Sequence, residues 1–305
     1  MKILAPWILI CFVTVTGLSQ VRSNNLPATI EKIRPSVAQI TLLVSDFTDA
    51  DLQRLPRPFE QFAVGTGFIV SAQGYVVTAK HVVDAIRAYK TRDSLGHDVQ
   101  SGEKKILIGF PLPNSGDRGQ NGYGTVNRAN FESVPAKEVA DDAGHDLALL
   151  KMEPNPFEQE LKPGQKLRVA PARLSSERPE EGSAVALSGY PLDYAVLVTT
   201  SGTIASSWTD IGADADGYLA DIHANHGNSG GPAYRLSDGA VIGICDSFTG
   251  APVEPSERFG ALKYNAGLAS IVPAKYVIAM LKKQGIAIIE VTSPQVRAKK
   301  SGTRQ

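Results

Sequence analysis

Cysteine is scarce in this 305-residue chain: Cys11 and Cys245 are its only two. Two thiols cannot build a disulfide scaffold or a four-cysteine zinc site. Net charge is missing as well, because 31 Lys+Arg balance 31 Asp+Glu. That balance argues against a protein that holds nucleic acid through bulk positive potential. Internal repeats, heptads and low-complexity blocks are also absent. What remains is a chain that is 43% hydrophobic, too apolar for disorder, and punctuated by 28 Gly and 19 Pro. Its length suits one large domain or two small ones.

The start reads as targeting. Lys2 precedes an apolar run, Ile3–Gly17, that falls short of the roughly 20 residues needed to span a bilayer. Ser19 and Ser23 offer small residues for cleavage, so residues 1–23 are expected to be a secretory signal, with an uncleaved anchor as the competing reading. Cleavage would leave Cys245 as the single thiol, exclude an intramolecular disulfide and give the mature chain a slight acidic excess. A secreted or periplasmic location, with no stable membrane insertion after cleavage, follows.

Short β-branched segments dominate the rest. Ile30 and Ile33 mark a short helix that Pro35 ends, and Val37–Val44 reads as a strand. Residues 65–72 and 75–80 form a hairpin about Gln73-Gly74. Further strands are expected at 106–110, 147–152, 183–190, 196–206, 218–224, 240–248 and 265–272. Residues 45–62 read as a loop, 84–131 as an insertion ending in an extended surface loop, and 153–165 as a link between two halves. One late helix, 273–285, starts at Pro273 and stops at Gly285. The tail from Thr292 is basic. Many short strands with Gly/Pro turns indicate an all-β sandwich or barrel.

Gly227-Asn228-Ser229-Gly230-Gly231-Pro232 carries the sharpest chemical signal. A serine hydroxyl needs a base and a stabilised oxyanion, and flanking glycines let backbone N–H groups, here those of Gly227 and Ser229, turn inward. Of five histidines, His81 follows the strand 75–80, a rigid place from which an imidazole can face a cleft. His97 and His145 read as surface residues. His223 and His226 flank the serine loop and, with Asp221, could suggest a metal, but no further ligand cluster supports one. Asp146 opens the apolar strand Leu147–Met152, where a half-buried acid needs a partner; it could orient an imidazole or merely cap the strand.

The segments GTGFIV, GYVVTAKHVV, HDLALLK and GNSGGP together resemble the chymotrypsin-fold serine peptidases, in particular the HtrA/Deg branch. LPATIEKIRPSVAQI, SAVALSGYP with TTSGTIAS, and GAVIGICDSF with NAGLASIVPAKYV extend the likeness over about residues 26–285. The resemblance implies a double six-stranded antiparallel β-barrel, the first over about 36–152 and the second over about 166–285, with a C-terminal helix and a short tail at 286–305. By it His81 is the general base, Asp146 its orienter and Ser229 the nucleophile, with Gly227 and Ser229 N–H as the oxyanion hole. It also puts His223, Ser247 and Gly267 around the primary substrate pocket, with no acid at its floor, so a small or medium apolar side chain is expected there.

Three departures stand out. Lys80 precedes the histidine, Asn228 removes the charged switch of zymogen maturation, and no PDZ module follows within the sequence. The expectation is a serine endopeptidase acting on polypeptide substrates without cofactor, metal or nucleic acid. A catalytically silent binding or scaffold protein on the same fold is the alternative, and oligomeric state is not encoded legibly. An ester hydrolase is disfavoured because the G-x-S-x-G elbow is absent.

Overall fold

The computed structural model describes residues 26–55, 59–99, 102–111, 131–161, 167–194, 196–210, 215–252 and 263–292. The expected signal, residues 112–130 and most of the basic tail lie outside these. Helix α1 (Leu26–Ile33) passes through a 3-10 turn at Arg34–Ser36 into strand β1 (Val37–Ser45), which is buried along nearly its whole length. Strands β2 (Glu60–Ser71) and β3 (Tyr75–Ala79) form the expected hairpin. Small pairs β4 (Thr91–Arg92) and β5 (Asp98–Val99) precede β6 (Glu103–Pro111), β7 (Phe131–Asp142) and β8 (Leu147–Met152). Antiparallel pairing in the order β1-β2-β3-β8-β7-β6 closes the first barrel. Ile40, Leu42, Val76, Ile108, Val134 and Leu150 fill it.

The second barrel uses β10 (Ala184–Gly189), β11 (Val198–Asp210), β12 (Ala215–Asp221), β13 (Pro232–Arg235), β14 (Val241–Pro252) and β15 (Lys263–Pro273). Their order is β13-β10-β11-β12-β15-β14, and the β13–β14 pairing closes the ring. Two short strands, β9 (Arg173–Leu174) and β16 (Ile289–Glu290), extend it in parallel beside β14. Val185, Leu187, Ile204, Ile242 and Ile271 form its interior. This is the chymotrypsin-like fold.

A third apolar cluster lies between the barrels. Phe68, Val77, Leu147 and Leu149 come from the first; Tyr190, Tyr234, Val241 and Ile244 come from the second. Helix α4 (Ala274–Lys283) adds Val277, Ile278 and Leu281, and α1 adds Ile33. Each such side chain, withdrawn from water, contributes about 1.5–3 kcal/mol of burial free energy.

Four local expectations need correction. Residues 45–62 are not a continuous loop: Asp49–Leu52 form a helical turn, α2, which Thr48 caps by accepting from Asp51 N–H, and β2 begins at Glu60. A helix, α3 (Lys80–Ala88), follows β3 where only a strand end before an insertion was expected; burial of Val82, Val83 and Ile86 on one face decides it. Strand β7 begins at residue 131 because Glu132, Val134 and Ala136 are buried in alternation with the more exposed Ser133, Pro135 and Lys137. Strand β13, too short for a periodic signal, lies directly after the serine loop.

Candidate active site

Strand β3 ends at Ala79, which serves as N-cap of α3, and His81 therefore sits in the first turn of a helix instead of at a strand end. The helix start fixes its main chain, and Asp146 fixes its ring. The Asp146 carboxylate accepts from His81 N–H (2.9 Å) through Oδ1 and contacts His81 Nδ1 at 2.6 Å through Oδ2. Lys80 N–H donates to the carbonyl of Asp146 (2.8 Å), so the β7–β8 turn is stitched to the helix at three points. Asp146 holds φ at 53°, a left-handed conformation that a short polar side chain tolerates better than a bulky one. With Nδ1–H given to the carboxylate, the lone pair of Nε2 faces away from it.

The Lys80 side chain points elsewhere. Its Nζ bonds both oxygens of Asp84 at 2.8 and 2.9 Å and reaches Asp141 at 3.6 Å. His145 departs from a plain surface role: its ring stacks on Tyr276 of α4 at 3.6 Å and its Nδ1 meets Asp142 at 2.8 Å.

Ser229 belongs to the second barrel, in the turn between β12 and β13. Asn228 Oδ1 accepts from Asn225 N–H, Asn228 N–H donates to the Asn225 carbonyl, and Gly231 N–H donates to Asn228. The loop is then tied to β2 of the first barrel by Thr66. Its N–H donates to the Ser229 carbonyl (2.9 Å), its Oγ1 donates to the Gly227 carbonyl (2.6 Å), and that oxygen also accepts from Tyr190 N–H (2.9 Å). Thr66 carries no pattern that marks it in the sequence. Gly65 beside it gives the only hint, since a Cβ there would press on Val82 and on the Ser229 carbonyl.

Glycine is required at two loop positions. Gly227 has φ at 95°, and a Cβ on it would strike the Tyr190 carbonyl. Gly230 has φ at 83°, and a Cβ would run into the Thr66 carbonyl and Thr78 Oγ1. Among the described residues, the N–H groups of Gly227 and Ser229 donate to no protein acceptor. The hydroxyl of Ser229 donates to the main-chain carbonyl of Asp246 on β14 (3.3 Å).

Asp246, on β14, joins this group. Its carboxylate, His81 and Asp146 offer side-chain atoms that all lie within 4.8 Å of one another. The 2.6 Å contact between His81 and Asp146 makes the set a hydrogen-bonded group. The hydrogen bond to Asp146 raises the His81 pKa above 6.5 despite burial, and the charges of Asp146 and Asp246 add to it. Burial alone would raise Asp146, but the His81 hydrogen bond and charge outweigh it and hold that carboxyl low. Burial, then the neighbouring Asp146, pushes Asp246 up.

Of the residues expected around the primary pocket, His223 and Gly267 are adjacent: a Cβ on Gly267 would stand 3.5 Å from the His223 ring. Ser247 turns its hydroxyl onto the Asp246 carboxylate (3.0 Å). His226 packs edge-on against Phe248 at 5.3 Å. Asn265 holds this wall by donating to the Ala224 carbonyl and accepting from Gly267 N–H. Cys245 lies fully buried on β14, its thiol pushed up to about 12 by burial, which makes it unreactive. Among the described residues no helix is long and apolar enough to cross a membrane.

The profile of the trypsin-like peptidase domain matches residues 65–244. A rat protein named serine protease HTR4 is 28% identical over 86% of this chain and 41% of its own length. A probable periplasmic serine endoprotease, DegP-like, of Brucella suis is 30% identical over 75% of this chain and 35% of its own. One from Rickettsia prowazekii is 27% identical over 77% and 36%. The chain thus spans well under half the length of these curated relatives. A solved HtrA-type protease, AlgW with a decapeptide, superposes with a TM-score of 0.52 at 18% identity, over 84% of this chain and 66% of that one. At that identity the likeness speaks for the fold.

Proposed function

Because the chain belongs to the trypsin-like peptidase family and its relatives are HtrA-type serine proteases, we propose that it hydrolyses peptide bonds with Ser229 as nucleophile, His81 as general base and Asp146 as its orienter. The observation that carries this reading is the two-point grip of Asp146 on His81, through Nδ1 at 2.6 Å and through the main-chain N–H at 2.9 Å. That grip selects the tautomer whose Nε2 can take a proton. Ser229 leaves its 3.3 Å bond to the Asp246 carbonyl and passes its proton to His81 as its oxygen attacks the scissile carbonyl. The resulting oxyanion is held by the free N–H groups of Gly227 and Ser229. His81 then protonates the departing amine, and water repeats the sequence to release the acyl group from Ser229.

The substrate is an extended polypeptide, and the solved relatives with bound peptides support that class. A pocket beside the adjacent His223 and Gly267 favours a small or medium apolar side chain at the cleavage site, since the sequence resemblance puts no acid at its floor to select Lys or Arg. Secretion, to the periplasm in a bacterium, fits the N-terminal apolar run and the names of the DegP-like relatives.

A fluorophosphonate probe tests the reading. It labels the wild-type chain and fails on Ser229→Ala and on His81→Ala; labelling that survives Ser229→Ala refutes the assignment, and a folded wild type that never labels favours the silent scaffold. Cleavage of an unfolded protein mainly after Arg or Lys would overturn the apolar pocket.

A further inference from the structure

The Ser-His-Asp reading assigns nothing to Asp246, yet this side chain has no other evident business in the fold. It is half-buried on β14, a strand of the second barrel, and leans across the seam toward two groups of the first. Its main-chain carbonyl holds the Ser229 hydroxyl at 3.3 Å, while its carboxyl group lies within 4.8 Å of both the His81 ring and the Asp146 carboxylate. Ser247 Oγ donates to its Oδ2 at 3.0 Å and fixes that orientation. A second acid beside an acid–imidazole pair is costly: like charges repel, and desolvation adds to the cost. A purely structural role at an inter-barrel seam would be served better by an uncharged residue.

We propose that Asp246 is a positioning residue: a second carboxylate that, with Asp146, flanks the His81 imidazole, confines its ring and stabilises the cation formed during proton transfer. The proposal rests on the triad reading above and deepens it. Because β14 supplies both the carbonyl that holds the resting hydroxyl and the acid that faces the imidazole, one strand couples the nucleophile to its base.

Asp146 approaches His81 from the β7–β8 turn and Asp246 from β14. Asp84, on the same helix, adds a weaker field and is already neutralised in part by Lys80 at 2.8 Å and Arg87 at 3.6 Å. Lys80 is itself turned to Asp84 and Asp141. The net field at the ring is therefore negative, and Asp246 is the contributor that can be removed without breaking the hydrogen bond from Asp146. A carboxylate a few ångströms from an imidazole favours the charged ring and so raises its pKa.

The test is the pH profile of kcat/KM, with the rate of fluorophosphonate labelling as a second readout, in the wild type, Asp246→Asn, Asp246→Ala and Asp84→Asn. Asn keeps the shape, replaces one carboxylate oxygen by an amide donor and carries no charge. Both Asp246 variants are expected to move the acid limb down by about half a unit or more and to lower kcat several-fold with KM little changed. Asp84→Asn is expected to move it less. Should Asn fail to fold, Ala carries the same expectation for the limb. NMR titration of the His81 ring in Ser229→Ala, with and without Asp246→Asn, reads the same shift without turnover. An acid limb and a His81 titration unmoved by either Asp246 variant, in a chain that still labels at Ser229, would overturn the proposal while leaving the triad intact. A wild type that never labels would instead defeat the underlying reading.

Discussion

At the scale of single residues, the decisive quantity is the protonation state of one imidazole. In the proposed reaction His81 must be neutral to accept the Ser229 proton, and its pKa is raised above 6.5, first by the hydrogen bond to Asp146. Activity is therefore expected to be full on the alkaline side and to fall as pH drops through a midpoint higher than that of a free imidazole. A kcat/KM profile with its acid limb at or below pH 6.5 contradicts this. Asp146→Asn preserves the shape but disturbs the tautomer, and kcat is expected to fall by about 10⁴-fold with the fold intact, checked by single-turnover kinetics and circular dichroism. The GNSGGP stretch, the lone His before Val82-Val83 and the acid before an apolar strand could all be picked out by local context, and the structure brings His81 and Asp146 together. Thr66 and Asp246 could not, because their partners lie far along the chain and their own neighbourhoods show no pattern of charge or spacing.

At the scale of elements, legibility followed periodicity. The hairpin β2–β3, the strands β8 and β10 and the helix α4 each carry a clear run of apolar or β-branched residues bounded by Gly or Pro. Helix α3 did not read as a helix because Val82 and Val83 are β-branched, and packing against the barrel overrides their preference. Strand β7 did not read as a strand because Pro135 and the acids Glu132 and Glu138 at inward-alternating positions break the apolar alternation. The serine loop depends on two contacts between elements that can be broken separately. Gly230→Ala would push a Cβ into the Thr66 carbonyl and Thr78 Oγ1 at a left-handed φ, and is expected to abolish labelling of Ser229 and destabilise the chain by about 3 kcal/mol or more. Thr66→Val keeps the volume but strands the Gly227 carbonyl and the Tyr190 N–H. An expected loss of about 1–3 kcal/mol in stability with a larger relative loss in kcat can be measured by thermal melts and peptide cleavage. Unaltered kcat would show that the loop does not depend on the threonine.

At the scale of the whole molecule, the barrels are joined by an apolar seam and clasped at both ends of the chain. Helix α1 precedes the first barrel but lends Ile33 to the seam, and its Thr29 hydroxyl donates to the Leu236 carbonyl of the second. Helix α4 follows the second barrel, yet its Tyr276 stacks on His145, next to Asp146. Leu149→Ala in the seam is expected to cost about 2–5 kcal/mol and to lower the urea midpoint accordingly. An effect below about 1 kcal/mol would mean that the seam is not under tight packing. Turnover in that variant is expected to fade in urea before the far-ultraviolet signal of the barrels does.

His81 and Asp146 reside on one ring of strands, Ser229 and Asp246 on the other. Each ring closes its own backbone bonds, so each half has the makings of an independent fold, but neither contains a complete reaction centre. If the proposed triad is right, severing the polypeptide between Met152 and Arg173 is expected to yield two inert fragments that regain peptide cleavage on mixing. Reconstitution on mixing would make proteolysis a property of assembly, arising when two silent pieces dock.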